Sequence, residues 1–442
     1  MTKNINIIGA GLAGCEAALQ LANAGFKVNL YEMKPSEYSP AHKLKDFAEL
    51  VCSNSLKSME PHNAHGLLKQ ELLKLNSYLI KTAFEMKIPG GKALTVDRIQ
   101  FAKKITELLS TNKNIKIINQ RVDEIFEDEI NIIAAGPLIT HTLFNNLKKY
   151  TGEDTLFFFD AIAPIIYYES IDFNNEAIIL GNRYGEFDEG DYINILLNKA
   201  QYSEFYNDLI NAELHNPADF EKDKFFEGCM PIEELAKRGF DTLRFGPMKP
   251  VGFHYKDGGR PFAVVQLRRE DAANTLYNFV GFQTRLKYGE QERILKKLPG
   301  LTNIEFARKG SMHRNSYINS PKCLTQFLNL KNHNNIFICG QLCGVEGYVE
   351  SIATGLVAAL NCGNFINYGK YLELPDCTII KSLINYITNP VNAKKFQPMN
   401  ANFGILPQLS IPEKNKKKRY ELYAQRSLEA LDNFKIQYAK LS

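Results

Sequence analysis

The segment "INIIGAGLAGCEAALQLANAGFKVNLYE", residues 5–32, leaves the chain few options. A short apolar strand, "INIIGA", runs into Gly9-Ala-Gly11-Leu-Ala-Gly14. Apolar residues at helical spacing follow as far as Gly25, a helix stop, and "FKVNLYE" is a second strand ending on Glu32. In this setting Gly9 permits a tight turn, Gly11 lets backbone approach a pyrophosphate, and Gly14 lets the helix lie close to the strand. Glu32, 18 residues beyond Gly14, is placed to accept hydrogen bonds from a ribose diol. A glycine triplet alone means little; with strand, helix and acid in order it predicts a dinucleotide-binding βαβ unit.

Two later segments read as parts of the same sheet. "EINIIAAGP", 129–137, is an apolar strand closing on Gly136. "NNIFICGQLCGVEGYVESIATGLVAAL", 334–360, is a strand, a second glycine-rich turn and a helix rich in small residues. A nicotinamide-dependent dehydrogenase domain is built from contiguous βαβ units and needs no segment returning 300 residues later, whereas a flavin enzyme closes around FAD this way. We therefore assign FAD contacts to Gly9, Ala10, Gly11, Leu12, Ala13, Gly14 and Glu32, and to Gly136, Gly340, Gln341, Gly347 and Ile352. Between these parts the chain turns β-rich: "DTLFFFDAIAPIIYYESIDF", "FAVVQLRRED" and "LYNFVGFQTRL" read as strands, with 190–214 and 289–298 helical. The expected fold is α/β: a Rossmann-like, glutathione-reductase-like FAD-binding domain (1–154 and 331–442, ending in helices) with a β-rich α+β insertion at 155–330. No second complete fingerprint occurs, so any nicotinamide cosubstrate would visit without a full domain of its own.

Composition narrows the function classes. The 442 residues are 45% hydrophobic and 23% charged, ordinary for a globular protein, and no uninterrupted apolar run approaches the ~20 residues of a membrane span. With no signal-peptide layout at "MTKNINIIGAG", a cytoplasmic protein with no membrane partner is expected. A net charge of +4 is too mild to name a polyanion by itself, and the basic run Lys414–Arg419 reads as a solvated helix start or tail. Cys339 and Cys343 stand i, i+4 with no zinc-ligand companions, so no metal site is expected.

Two of the eight cysteines stand apart. Cys52 lies in "FAELVCSNSLKSME", among Ser53, Asn54 and Ser55, which favour a turn or cap. Cys229, in "EGCMPIEE", precedes a proline that should open a helix, whose positive end would favour a thiolate. Burial as a small hydrophobe is the alternative for any cysteine, and it is the simpler reading for Cys323, Cys339, Cys362 and Cys377. Cys15 should pack near the cofactor, and Cys343, in the second glycine turn, lies where it could approach a flavin. The loops "LRFGPMKPVGF" (243–253), with Arg244 and Lys249, and "GSMHRNSYINSP" (310–321), with His313, Arg314, Asn315 and Tyr317, suit phosphate or a planar ligand; both equally suit a hydrogen-bonded surface loop. A flavin with two thiols first brings disulfide reductases to mind. Those keep their thiols in close motifs, and Cys52 and Cys229 are 177 residues apart.

The chain resembles the folate- and FAD-dependent tRNA (uracil-5-)-methyltransferases, the TrmFO type, related to the GidA/MnmG flavoproteins. The likeness runs from end to end through "IGAGLAGCEAA", "FAELVCSNSLKS", "GLLKQE", "FFEGCMPIEELAKRG", "LRFGPMKPVG", "AVVQLR", "LYNFVGFQT", "MHRN" and "GQLCGVEGYVESIATGL". It implies C5-methylation of a uridine, uridine-54 of the tRNA T-loop, with 5,10-methylenetetrahydrofolate as one-carbon donor, FAD as carrier and reductant, and NADH or NADPH regenerating reduced flavin. A related lineage methylates a uridine of large-subunit ribosomal RNA, which leaves ribosomal RNA as the alternative partner. The resemblance makes Cys52 and Cys229 the catalytic pair and Gly9, Gly11 and Gly14 the phosphate-binding glycines. Uracil C5 is a poor nucleophile; a thiolate adding at C6 spreads negative charge onto C5. The helix start favours Cys229 for that addition, leaving Cys52 as either the base or the thiol that guards the activated flavin. Cys343 and Lys92 depart from the family's usual residues without touching either thiol.

Overall fold

The computed structural model of the chain describes residues 4–153, 156–183, 191–215, 225 and 230–439. Its first sheet grows from Ile5–Ile8, which pairs in parallel with Val28–Glu32 on one side and Ile130–Ile133 on the other. Ile115–Asn119 extends the first side and His333–Ile338 the second, again in parallel, and Asn329–Leu330 closes one edge antiparallel. Every residue of Ile5–Ile8 and Ile130–Ile133 is buried, as a parallel strand covered on both faces requires. Strand order reverses beside Ile5–Ile8, and in open α/β sheets that reversal opens a crevice at the carboxyl ends of the strands.

The helix Leu12–Asn23 packs on the helix Tyr348–Tyr368, so the two glycine-turn segments, far apart in sequence, are neighbours in space. Gly355 makes the crossing close: a Cβ there would lie 2.3 Å from the Ala13 carbonyl oxygen. Tyr348–Tyr368 is, by length and composition, apolar enough to cross a membrane, but its most apolar window is 78% buried inside the protein.

A second, antiparallel six-stranded sheet has the order Ile178–Leu180, Tyr192–Leu197, Ala263–Arg269, Leu276–Phe279, Ile165–Tyr167, Phe306–Arg308. Alternation sorts its two faces. Ile193, Ile195, Leu197, Ala263, Val265 and Leu267 share a core with Tyr202 and Phe205 of the helix Lys199–Ile210. The alternate positions carry Asn194, Gln266 and Arg268 away from that core, and Gln266 Nε2 donates to Asn194 Oδ1 at 2.9 Å. The stretch 190–214, expected as helix, is thus a strand followed by a helix. Its short apolar run fits either state, and the capping box of Asn198 with Gln201 starts the helix only after the strand has ended.

A two-stranded ribbon, Leu156–Ile162 against Ser311–Tyr317, lies between the sheets. The Ser316 N–H donates to the Pro137 carbonyl at 2.8 Å and the Ile318 N–H to the Leu342 carbonyl at 3.0 Å, tying the ribbon to both ligand-facing turns of the first sheet. Residues 310–321, expected as a loop, therefore form mainly a strand; the polar run "SMHRNS" gave no apolar alternation to mark it. A small sheet of Ser55–Ser58, Ala93–Val96 and Lys87–Ile88 stands beside the Cys52 turn.

Candidate active site

A cavity of about 410 Å³, within the ordinary range for small-molecule sites, opens at the strand-order reversal. Gly9, with φ +103°, turns the chain there, and a Cβ on it would lie 2.5 Å from the Ala134 carbonyl oxygen. Gly14 faces the other way: its Cβ would meet the Gly9 carbonyl at 1.9 Å, so strand and helix touch through hydrogen alone. Gly11 presents an open cradle, with nothing within 4 Å of where a Cβ would stand. The helix Leu12–Asn23 begins at Gly11 and the helix Tyr348–Tyr368 at Gly347, both without a side-chain cap. Two helix N-termini with uncapped N–H groups at one cavity are suited to the phosphates and polar ring edges of a dinucleotide. Glu32 is held in place by N–H groups of Ala10 (2.8 Å) and Lys34 (3.1 Å), one on each carboxylate oxygen. Each oxygen keeps a second lone pair for a ribose hydroxyl. These residues fit FAD.

The turn that carries Cys52 is clamped from every side. Arg308 donates to the Val51 carbonyl at 2.9 Å, and Arg268 to Ser53 Oγ at 2.7 Å and Asn54 Oδ1 at 3.2 Å. Arg98, ion-paired with Glu270 at 2.7 Å, reaches the Val51 carbonyl at 3.4 Å. Tyr348 completes the clamp. Its hydroxyl oxygen accepts the N–H groups of Cys52 (2.8 Å) and Ser53 (3.2 Å) and lies 2.9 Å from Cys52 Sγ. A phenol oxygen has two lone pairs, both used here, so its own hydrogen points at the sulfur. Burial and the Asp160 carboxylate push the Cys52 thiol up to about 12, against the Tyr348 hydrogen bond, which pulls it down. The resting group is a neutral thiol that accepts a hydrogen bond.

Carboxyl groups gather beside it. Asp160 comes from the ribbon, and Glu346 and Glu350 from the second glycine turn and the helix after it. Burial, then the nearby Asp160, holds Glu346 well above the usual carboxylate range. Burial opposes ionisation of Glu350 too, yet Lys57, His65 and the Ala401 N–H together bring it down to about 2. His42 and His313 also line the cavity; burial and then neighbouring cations (Lys34 and Arg308 for His42, Arg308 for His313) lower both to about 4, leaving neutral rings.

Of the residues singled out from sequence, Gly9, Ala10, Gly11, Leu12, Ala13, Glu32, Cys52, Gly136, Gly340, Gln341 and Gly347 line this one cavity. Gly14 and Ile352 do not: Gly14 packs the helix on the strand, and Ile352 is fully buried in the core. Cys343 is also fully buried and off the cavity wall, its thiol pushed up to about 12 by burial. The ribbon sends His313 and Asn315 to the cavity, while Arg314 stacks on Phe157 at 3.8 Å. Cys229 lies outside the described residues. The helix expected after it begins at Ile232, with Pro231 as N-cap, runs only to Lys237, and carries Glu233 and Glu234 in its first turn. Sequence reasoning missed Tyr348, Asp160, Glu346 and Lys57. Glu346 and Tyr348 sit within the glycine-rich turn "GVEGY", a signal that was available; the partners of Asp160 and Lys57 come from distant segments.

The fold and cavity define a class, that of the GidA-like flavoproteins. The family described as Glucose inhibited division protein A matches residues 4–369. The structure of Aquifex aeolicus GidA in its form I crystal is similar, with a TM-score of 0.68 at 16% identity, covering 100% of this chain and 80% of that one. Among curated relatives, "Methylenetetrahydrofolate--tRNA-(uracil-5-)-methyltransferase TrmFO" of Staphylococcus epidermidis is 50% identical over 436 residues, 98% of this chain and 99% of its own. The protein of the same name from Acetivibrio thermocellus is 48% identical over 441 residues, 99% of this chain and 100% of its own. The chain belongs to the Glucose inhibited division protein A family and, within it, to the TrmFO proteins.

Proposed function

We propose that this protein methylates C5 of a uridine in tRNA, uridine-54 of the T-loop, with 5,10-methylenetetrahydrofolate as one-carbon donor, FAD bound in the cavity and NADH or NADPH as reductant. The observation that carries the reading is the Cys52 thiol, held by Tyr348 in the same cavity that the two glycine turns shape for a dinucleotide. The names and near-complete overlap of the relatives supply the substrate class. FAD, when bound, supplies the carriage and reduction of the one-carbon unit.

The chain's own residues do the rest. Gly9 to Ala13 and Glu32 bind the cofactor's phosphate and ribose groups through main chain and carboxylate. Arg98 and Arg308 hold the Val51 carbonyl and Arg268 the Ser53 and Asn54 side chains, so that Sγ of Cys52 keeps its position while ligands come and go. Burial and Asp160 keep a proton on the Cys52 sulfur while the Tyr348 hydroxyl donates to it, so one can be given to or taken from a cavity ligand there. In this reading Cys229 is the nucleophile. Its sulfur bonds uracil C6, electron density moves to C5, and after C5 has reacted and lost its proton the thiolate leaves by elimination. The test is incubation with labelled methylenetetrahydrofolate, NADPH and transcribed tRNA. Label at uracil C5 is expected; label only in ribosomal RNA fragments would move the substrate, and no label in either would end the proposal.

A further inference from the structure

Phe245 is 84% exposed, an unusual cost for a large aromatic side chain at the end of a rigid turn. It closes the short helix Thr242–Phe245 and is followed by Gly246 and Pro247. With Leu235, Arg238 and Phe240 it lines a shallow groove of about 700 Å³. The turn is well anchored. Arg244 lies 3.6 Å over the Phe262 ring, and Nε donates to the Phe262 carbonyl at 2.9 Å. The Val264 N–H donates to the Met248 carbonyl at 3.1 Å.

The segment that carries the ring is basic. Residues 237–260 hold six cations against two acids, a balance of +4 that equals the formal net charge of the whole chain. Lys237 pairs with Glu234 at 3.0 Å and Arg244 with Asp241, so two of the six cations are engaged within the protein. Lys249, Lys256 and Arg260 are exposed, as is Val251 beside them. The turn also backs directly onto the active-site cavity. Gly281 is part of the cavity wall, and a Cβ on it would come within 2.6 Å of Pro247 Cβ.

We infer that this turn is where the RNA substrate docks, with Phe245 stacking on an unpaired base and Lys249, Lys256 and Arg260 meeting phosphates. An exposed ring amid cations is how proteins hold single-stranded or splayed-out nucleotides: the ring offers a face to any base, and the cations follow the backbone. Protein–protein interfaces are depleted in lysine, whereas two of the three exposed cations here, Lys249 and Lys256, are lysines. The inference rests on the RNA-methylating reading above and adds the surface to it.

The test uses the full-length, FAD-loaded protein and a tRNA transcript followed by fluorescence anisotropy at several salt concentrations. Phe245→Ala is expected to weaken binding roughly tenfold, the size of one base–aromatic stack, and Phe245→Trp to retain it. Lys249→Ala should make the dependence of log Kd on log salt shallower by about 1. All three should keep their flavin, because none touches the cavity. Unaltered tRNA affinity in Phe245→Ala, in a preparation whose native form binds and methylates tRNA, overturns the docking surface alone. The same result with a changed sedimentation coefficient would show a self-association face, which also overturns it. Native protein that neither binds nor methylates tRNA overturns the RNA reading and the surface with it.

Discussion

The turn Gly9–Gly14 and the turn Gly340–Gly347 each join a parallel strand to a helix that lacks a side-chain cap, yet they bring different things to the cavity. The first brings backbone, with small or apolar side chains, and its one polar group, Glu32, arrives from the next strand. The second brings side chains: Gln341, Glu346, Tyr348, Glu350 and Ser351 all line the cavity. Binding through main chain demands only that nothing stands in the way, so it is written in glycines. Placing a proton demands side chains with particular partners, and those partners lie on other elements.

The comparison can be broken at either turn. The largest effect is expected from Gly14→Ala, whose new methyl has a backbone carbonyl 1.9 Å away. Such a clash inside packed backbone should cost on the order of 3 kcal/mol and release the flavin, read by denaturant titration and by the visible absorbance of bound flavin. At the second turn, Tyr348→Phe removes a hydroxyl and leaves the ring. Flavin content should hold while the methylation rate falls roughly a hundredfold, the usual scale for losing a positioned proton-transfer group. A loss of flavin equal to that of Gly14→Ala would mean that the two turns do the same work after all.

A titration sharpens the second half of the comparison. With Cys52 pushed up to about 12, its thiolate is a minor form at neutral pH, and deprotonation grows as pH rises. Alkylation of Cys52 by iodoacetamide, quantified on its peptide, should therefore climb about tenfold per pH unit from 7 to 10 with no plateau near the ordinary thiol value of about 8.5. In Tyr348→Phe the hydrogen bond that lowers the value is gone, so the same curve should move to still higher pH. The smallest effect is expected from Lys92→Ala. The Lys92 ammonium pairs with Glu60 at 3.2 Å on the surface, off the cavity wall. A stability change below about 1 kcal/mol and unaltered methylation should follow.

Much of the frame was legible in the sequence because its signals are local. The strand, glycine turn and helix at residues 5–23 carry their own periodicity, and the short apolar stretches at 130–133 and 336–338, each soon followed by a glycine, read as covered strands. The ribbon strand Ser311–Tyr317 reads as a loop in the sequence because it is stabilised by pairing with Leu156–Ile162, some 150 residues away, and not by its own composition. The strand Tyr192–Leu197 merges with the helix after it in the sequence pattern for the same reason: its ladder partner is Ala263–Arg269. Cys343 shares a turn with Gly340 and Gly347, a position from which a thiol could approach a flavin, and the backbone turns it into the core.

The sequence by itself determined the cofactor cradle, since a backbone that must pass within touching distance of another backbone leaves a spacing of glycines as its record. It also determined that Cys52 is unlike the core cysteines, through the polar turn around it. Only the tertiary structure decided the state of that thiol. Tyr348 is 296 residues from Cys52, Arg268 is 215 residues from Ser53, and Asp160 arrives on a separate ribbon. Burial and charge at the sulfur are sums over groups that meet only when the chain has folded, and no pattern along the chain adds them up.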